Sequence, residues 1–282
     1  MSTIQLPSGT VIWYQKTGSG APLLHIHGSA FGHRNFEKLT PLSAANFEVI
    51  DFDLPGYGES RGGPARSDMP AIAELVYEFI QVLKFRRLHV HGTSFGAMIG
   101  LTLAALHPEV IDRLVLSCFL ARYDAAARMM RTTWKRAARD SGMEAVADLT
   151  SVAGFARGFY ERPGAEQQLA AMRAAFSRTL PQAFVAGTEL IERTDLSPFV
   201  SRVRAPTLLL AGAEDNMTPF NPGSSGVGFE QIQRLQPQFE LAVLAHCGHY
   251  LVIEQPEKAN ELLTAFLIRS REPVPIRNCD QI

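Results

Sequence analysis

Cysteine is scarce in this sequence: three residues among 282, Cys118, Cys247 and Cys279, odd in number and far apart. That excludes a disulfide framework and a thiolate metal cluster, and it fits a reducing compartment. An excess of charge of either sign is equally lacking. The formal net charge is −1 at pH 7 and no long basic tract occurs, so nucleic acid is not an expected partner. No apolar run approaches the length of a membrane span, and the opening MSTIQLPSG has neither the basic nor the apolar region of a secretion signal. A cytoplasmic protein without membrane contact is therefore the expectation. Apolar residues are plentiful, at 46%, enough over this length to bury a substantial core. One domain carrying an insertion fits better than two independent domains.

Strand-like and helix-like segments alternate in the first part of the chain. TVIWYQK (10–16) reads as an early antiparallel strand, and Pro22–Ile26, Phe47–Phe52 and Ile111–Leu116 as buried strands. Residues 69–84 place Ile72, Leu75, Val76, Phe79, Ile80 and Leu83 at helical spacing. Beyond residue 120 the composition changes to Met and aromatic residues interleaved with Ala and Arg, and helical spacing describes 121–200 best, with breaks at Gly142 and Pro163-Gly164. Strands resume at Ala205–Gly212 and Leu241–Leu244, followed by a helix at 257–269 and a loose tail, REPVPIRNCDQI.

The chain is organised around Gly92-Thr93-Ser94-Phe95-Gly96. It follows an apolar run and precedes a segment with helical apolar spacing at Phe95, Met98, Ile99, Leu103, Ala104 and Leu106. A G-x-S-x-G turn from strand to helix holds its central serine on a strained backbone, and the flanking glycines let strand and helix approach. A serine nucleophile needs a base and an orienting acid. Asp215 follows the strand at 205–212, and His249 follows the strand at 241–244. In a parallel sheet both loops share an edge with Ser94, where open α/β sheets bind ligands.

These residues, with His27-Gly28-Ser29, Asp53-Leu54-Pro55-Gly56-Tyr57-Gly58-Glu59-Ser60, the Gly212–Pro219 loop and Gly248-His249 followed by Glu254-Gln255-Pro256, make the chain resemble an α/β-hydrolase-fold enzyme from about residue 8 to 269. Within that superfamily it is most similar to 3-oxoadipate enol-lactonases and hydrolases of ring-fission products. The resemblance implies an α/β fold: a mostly parallel central sheet flanked by helices, with residues 1–120 and 201–282 as core and 121–200 as an inserted helical cap. It implies Ser94 as nucleophile, His249 as base and Asp215 as acid, with the backbone N–H groups of Ser29 and Phe95 as oxyanion donors. Ala30, Asn35, Trp134 and Tyr250 are the candidate substrate contacts. His27 reads as a brace for its loop, and the acidic residues of 53–60 as scaffold.

Serine at the elbow argues against the dehalogenases and epoxide hydrolases of this fold, which need an aspartate nucleophile. It argues for hydrolysis of an ester or lactone, with cleavage of a ring-fission diketone as the alternative. Acyl transfer, perhydrolysis and a non-catalytic binding role stay open. The chemistry calls for no cofactor and no metal. The expected partners are a small-molecule substrate, water and a second copy of the chain, since caps and edge strands often pair in this family. Seven cap arginines (Arg128, Arg131, Arg136, Arg139, Arg157, Arg173, Arg178) each fit either a solvated surface or an inward-facing anchor for a substrate carboxylate. Asn221–Gly228 is longer and richer in glycine than expected, as a flap near Asp215 or a surface insertion. Cys247, two residues before His249, is expected to pack beside it and to confer sensitivity to alkylation.

Overall fold

A computed structural model describes residues 2–60 and 68–269; the tail 271–282, with Cys279, lies outside them. The chain forms β1 (Ser2–Gln5), β2 (Val11–Thr17), β3 (Ala21–Ile26), α1 (Thr40–Ser43), β4 (Phe47–Phe52), α2 (Met69–Val82), β5 (Leu88–Thr93), α3 (Phe95–Leu106) and β6 (Ile111–Ser117). Five α-helices follow, with a 3-10 helix at Arg157–Glu161 between the second and third: α4 (Ala125–Asp140), α5 (Met143–Gly154), α6 (Ala165–Phe176), α7 (Pro181–Arg193) and α8 (Ser197–Val200). The chain closes with β7 (Thr207–Gly212), α9 (Phe229–Leu235), β8 (Glu240–Leu244), α10 (Leu251–Glu254) and α11 (Pro256–Leu267).

The strands make one sheet in the order β1-β2-β4-β3-β5-β6-β7-β8. β2 pairs antiparallel with β1 and β4, and the remaining neighbours are parallel. β3 sits between β4 and β5, so the chain leaves β3 toward one side and returns on the other. Ile26 pairs with Gly92 at the ends of those two strands. This reversal opens a crevice beyond their carboxyl ends, the place where such sheets bind ligands.

Burial explains the local sequence. Every residue of β5 and β7 is buried, as parallel strands covered on both faces require. Two buried histidines each have one nitrogen paired: on β3, His25 Nδ1 lies 2.9 Å from Asp51 Oδ1, and on β5, His91 Nε2 lies 2.8 Å from Ser117 Oγ. Burial, reinforced by the neighbouring His25, pushes His91 well below its ordinary pKa, which keeps it neutral. Central helix α3 is buried along its length except at Leu106. α2 starts where Asp68 accepts the Ala71 N–H at 2.9 Å, with Pro70 in the first turn.

In the insertion, Asp124 caps α4 through the Ala127 N–H at 2.8 Å. The buried face of α4 is Ala127, Arg131, Trp134 and Ala138, a single helical stripe that includes a charge. The 221–228 segment is tied to the chain entering this insertion rather than left free. Gly223 N donates to Asp124 Oδ2 at 2.6 Å, Arg122 Nε donates to Ser225 O at 2.8 Å, and Val227 pairs with Arg122 through the backbone.

Candidate active site

Ser94 joins β5 to α3 with φ 54° and ψ −115°. A non-glycine residue in that region carries about 1–3 kcal/mol of strain, which the surrounding structure must hold in place. Ser94 N donates to Ser117 O at 2.8 Å, while Ala97 N and Met98 N approach Ser94 O at 3.0 and 3.2 Å. The flanking glycines are required for space, since neither has a positive φ. A Cβ on Gly92 would lie 2.6 Å from Gly96 C, and one on Gly96 would lie 2.7 Å from His27 O.

Asp215 and His249 form a buried pair, with Asp215 Oδ2 2.9 Å from His249 Nδ1. Asp215 is fixed by its own turn: Oδ1 accepts Met217 N and Thr218 N, both at 2.8 Å, and Oδ2 accepts the Thr218 hydroxyl at 2.6 Å. Burial alone would raise its pKa; the His249 partner and the Thr218 bonds outweigh that and hold the carboxyl below its usual range. The imidazole therefore faces a carboxylate on its Nδ1 side, and its Nε2 has no hydrogen-bond partner among the described residues. The loop carrying His249 is anchored to the insertion. His249 N donates to Gly154 O at 2.6 Å, and the Glu254 carboxylate accepts Gly248 N at 2.8 Å and Ala156 N at 3.1 Å.

Two thiols are buried nearby. Cys118 Sγ lies within 4.8 Å of ligand atoms of Asp215 and His249, a grouping that superficially suits a metal ion. Its donors are committed elsewhere, because both Asp215 oxygens are already hydrogen-bonded and burial drives the Cys118 thiol well above its ordinary pKa. Burial likewise raises Cys247, with the Glu254 charge adding to the effect.

After β3, His27 braces the next loop in a single tautomer. Its Nδ1 lies 2.7 Å from Gly28 O and must carry the proton, while Nε2 accepts Leu54 N at 2.9 Å. Burial lowers its pKa, in keeping with that neutral form. Asp53 binds His33 through both its backbone and its ring and accepts Glu59 N at 2.7 Å, so it is structural, as expected. Gly28 N is taken by Asn35 Oδ1 at 2.8 Å. Ser29 N has no acceptor among the described residues, and Phe95 N, first in α3, has no partner within its helix.

Ser29, Asn35, Ser94, Trp134, His249 and Tyr250 all line one cavity, which leaves about 30 Å³ in which a water molecule's centre can sit. Ser94 Oγ and His249 Nε2 are not hydrogen-bonded to each other in this arrangement. Ala30 stands apart from the other sequence candidates. It is fully buried, has φ 80°, and its carbonyl accepts the Thr179 hydroxyl at 2.7 Å, so it turns the loop without facing the cavity. Thr218, Glu254 and Arg131 gain importance that the sequence did not isolate. Thr218 had a readable signal of its own, three residues after an aspartate that follows a strand, whereas Glu254 stood only within a longer motif and Arg131 among seven arginines.

An eight-stranded, mostly parallel sheet, a positive-φ serine between β5 and α3, and a helical insertion α4–α8 over their carboxyl ends together define the α/β-hydrolase fold. The chain belongs to the alpha/beta hydrolase family, whose model matches residues 23–262. It is 30% identical over 251 residues to a pimeloyl-[acyl-carrier protein] methyl ester esterase of Aromatoleum aromaticum, covering 86% of this chain and 96% of that one. It is 23% identical over 266 residues to a 2-hydroxy-6-oxo-6-(2'-aminophenyl)hexa-2,4-dienoic acid hydrolase of Metapseudomonas resinovorans, covering 91% and 87%. Its fold matches the enol-lactonase of Burkholderia xenovorans with a TM-score of 0.84 at 21% identity, covering 95% of this chain and all of that one.

Proposed function

We propose that the protein hydrolyses a carboxylic ester or lactone of a small, apolar or aromatic-derived substrate through Ser94, His249 and Asp215. The observation that carries this reading is the 2.9 Å Asp215–His249 pair presented to the same cavity as a serine on a strained elbow. His249 Nε2 takes the Ser94 proton as Oγ attacks the carbonyl carbon, and Asp215 fixes the tautomer and stabilises the imidazolium. Negative charge gathers on the carbonyl oxygen between the Ser29 and Phe95 N–H groups. His249 then protonates the leaving oxygen, and a water activated by the same imidazole releases the acid. Asn35, Trp134 and Tyr250 contact the substrate from the cavity wall. The reaction uses water alone as co-reactant, with no cofactor or metal, in a cytoplasmic setting. Among the described residues no helix is long and apolar enough to cross a membrane.

The esterase relative supports the ester reading. A second reading, hydrolysis of a carbon–carbon bond in a ring-fission diketone, is favoured by Asn35, whose amide is fixed by Gly28 N at the cavity wall. A parallel assay of a short aryl ester, an enol-lactone and a vinylogous diketone, with Ser94→Ala as control, separates them. Ester or lactone turnover lost in the variant supports the proposal; preference for the diketone replaces it with the second reading. Ester turnover that survives in Ser94→Ala refutes both.

A further inference from the structure

The seven arginines that the sequence left equivalent are separated by the fold. Six are exposed, and three of those pair with carboxylates: Arg139 with Glu189, Arg173 with Asp148 and Arg178 with Glu59. Arg131 is only 3% exposed and lines the cavity that holds Ser94 and His249. It has no carboxylate within salt-bridge distance among the described residues. Among the described residues its side chain makes one hydrogen bond, from Nη2 to the Tyr123 hydroxyl at 2.7 Å, and its guanidinium stacks over Tyr123 at 4.3 Å and beside Trp134 at 5.3 Å.

A guanidinium stays charged at any physiological pH, and a buried charge without a counter-ion is strongly disfavoured. The rings of Tyr123 and Trp134 stabilise it in part. Neither nearby phenol supplies an anion, since burial raises the pKa of both Tyr123 and Tyr250. Asp215 makes no ion pair with it, its oxygens being bonded to Met217, Thr218 and His249. The cavity lining contains no Asp or Glu. Packing does not demand an arginine: the other members of its stripe on α4 are Ala127, Trp134 and Ala138, so an apolar side chain would continue the face. The remaining guanidinium N–H groups are a planar donor set that matches a carboxylate.

We propose that the substrate is an ester or lactone that carries a second, free carboxylate, and that Arg131 binds this group. The inference rests on the Ser94 reading for the reaction, but the anion site itself stands on Arg131. Arg131 would then set specificity by orienting the acyl or leaving portion relative to Ser94.

The test compares mono-aryl esters of succinate, glutarate and adipate with the corresponding uncharged mono-amide esters, on wild type, Arg131→Met and Arg131→Lys. Wild type should favour the anionic ester of the best-fitting length by about tenfold or more in kcat/KM, the scale of a charge-assisted hydrogen bond in a buried site. The preference should fall to near unity in Arg131→Met and survive in part in Arg131→Lys. An unchanged ratio, or an equal fall on charged and uncharged esters, overturns the proposal, the latter by assigning Arg131 to the oxyanion or to folding. A second readout needs no turnover: free glutarate should raise the melting temperature of Ser94→Ala but not of Ser94→Ala/Arg131→Met. If glutarate binds in this Arg131-dependent way while no ester is hydrolysed, the anion site stands and the hydrolase reading falls. If esters are cleaved in a Ser94-dependent way without regard to charge, the anion site alone falls.

Discussion

Two glycines four residues apart on α3 should respond to the same substitution with opposite signs. A Cβ on Gly96 would come well under 3.0 Å from Ile26 O, with Ile26 C at 2.5 Å and His27 O at 2.7 Å. These are backbone atoms of β3 and the loop after it, so no side chain can rotate away. Gly96→Ala must push α3 and the Ser94 elbow off β3 by most of an ångström. Overpacking of this kind costs about 1–3 kcal/mol of stability. The same shift separates Phe95 N from Ser29 N, and a misplacement of about 1 Å lowers turnover on the order of a hundredfold. At Gly100 a Cβ would meet Leu116 Cδ2 at 3.4 Å, with Leu114 Cδ1 and Val90 Cγ1 both at 3.6 Å, all ordinary contacts with movable side-chain ends. Gly100→Ala should stabilise by roughly 0.5–1 kcal/mol, because alanine loses less backbone entropy in a helix. Urea unfolding and kcat/KM on a short aryl ester read both effects. A Gly96→Ala protein with wild-type stability and turnover refutes the close approach at the elbow; a strongly destabilised Gly100→Ala refutes the packing around α3.

Other groups around the site carry further expectations. Thr218→Val removes a hydroxyl 2.6 Å from the Asp215 carboxylate and should destabilise the protein by about 1.5–3 kcal/mol at pH 7. Asp215 has a depressed pKa, so its stabilisation is present above the unfolded value and is lost as pH falls through the folded one. Unfolding free energies of wild type and Thr218→Val should therefore converge as the pH drops below about 4. Glu254 is the reverse case, since burial raises its pKa despite two N–H bonds. Its contribution is full below the unfolded value and declines as pH rises through the folded one, so Glu254→Gln should flatten the stability curve above about pH 4.3. The same variant leaves Gly248 N or Ala156 N facing an amide N–H, at a cost of about 1–3 kcal/mol measured by urea unfolding at pH 4. Cys118 and Cys247 are buried with raised pKa values, so in a Cys279→Ser background iodoacetamide at neutral pH should label neither thiol until denaturant is added. Labelling and inactivation of the native protein would restore the alkylation sensitivity that the position of Cys247 suggests.

The site was legible where a backbone constraint forces a residue type. Ser94 between two crowded glycines, Asp215 after β7 and His249 after β8 follow from strand ends and turn composition. Asn35, Trp134 and Tyr250 reach the cavity because their segments lie over the sheet's carboxyl edge. Ala30 sits in the same loop, but its positive φ turns it into the core, and no sequence pattern marks that. β1 carries no strand signal in the sequence because it is four residues long with Ile4 as its one large apolar residue. Arg131 occupies a regular helical stripe, yet it is buried against Tyr123 and in a cavity wall shared with Thr150, Phe184 and Tyr250, which the sequence places far apart. The 221–228 segment has the glycine content of a flap, while its tethers, Arg122 and Asp124, lie about a hundred residues earlier.

The most direct test of the account is intact and peptide mass spectrometry after brief exposure to a short aryl ester, and separately to a serine-directed phosphonate. An acyl or phosphonyl adduct is expected on the peptide carrying Ser94, at one per chain, with neither adduct nor turnover in Ser94→Ala. An adduct on another residue, or ester turnover that persists without Ser94, would contradict it.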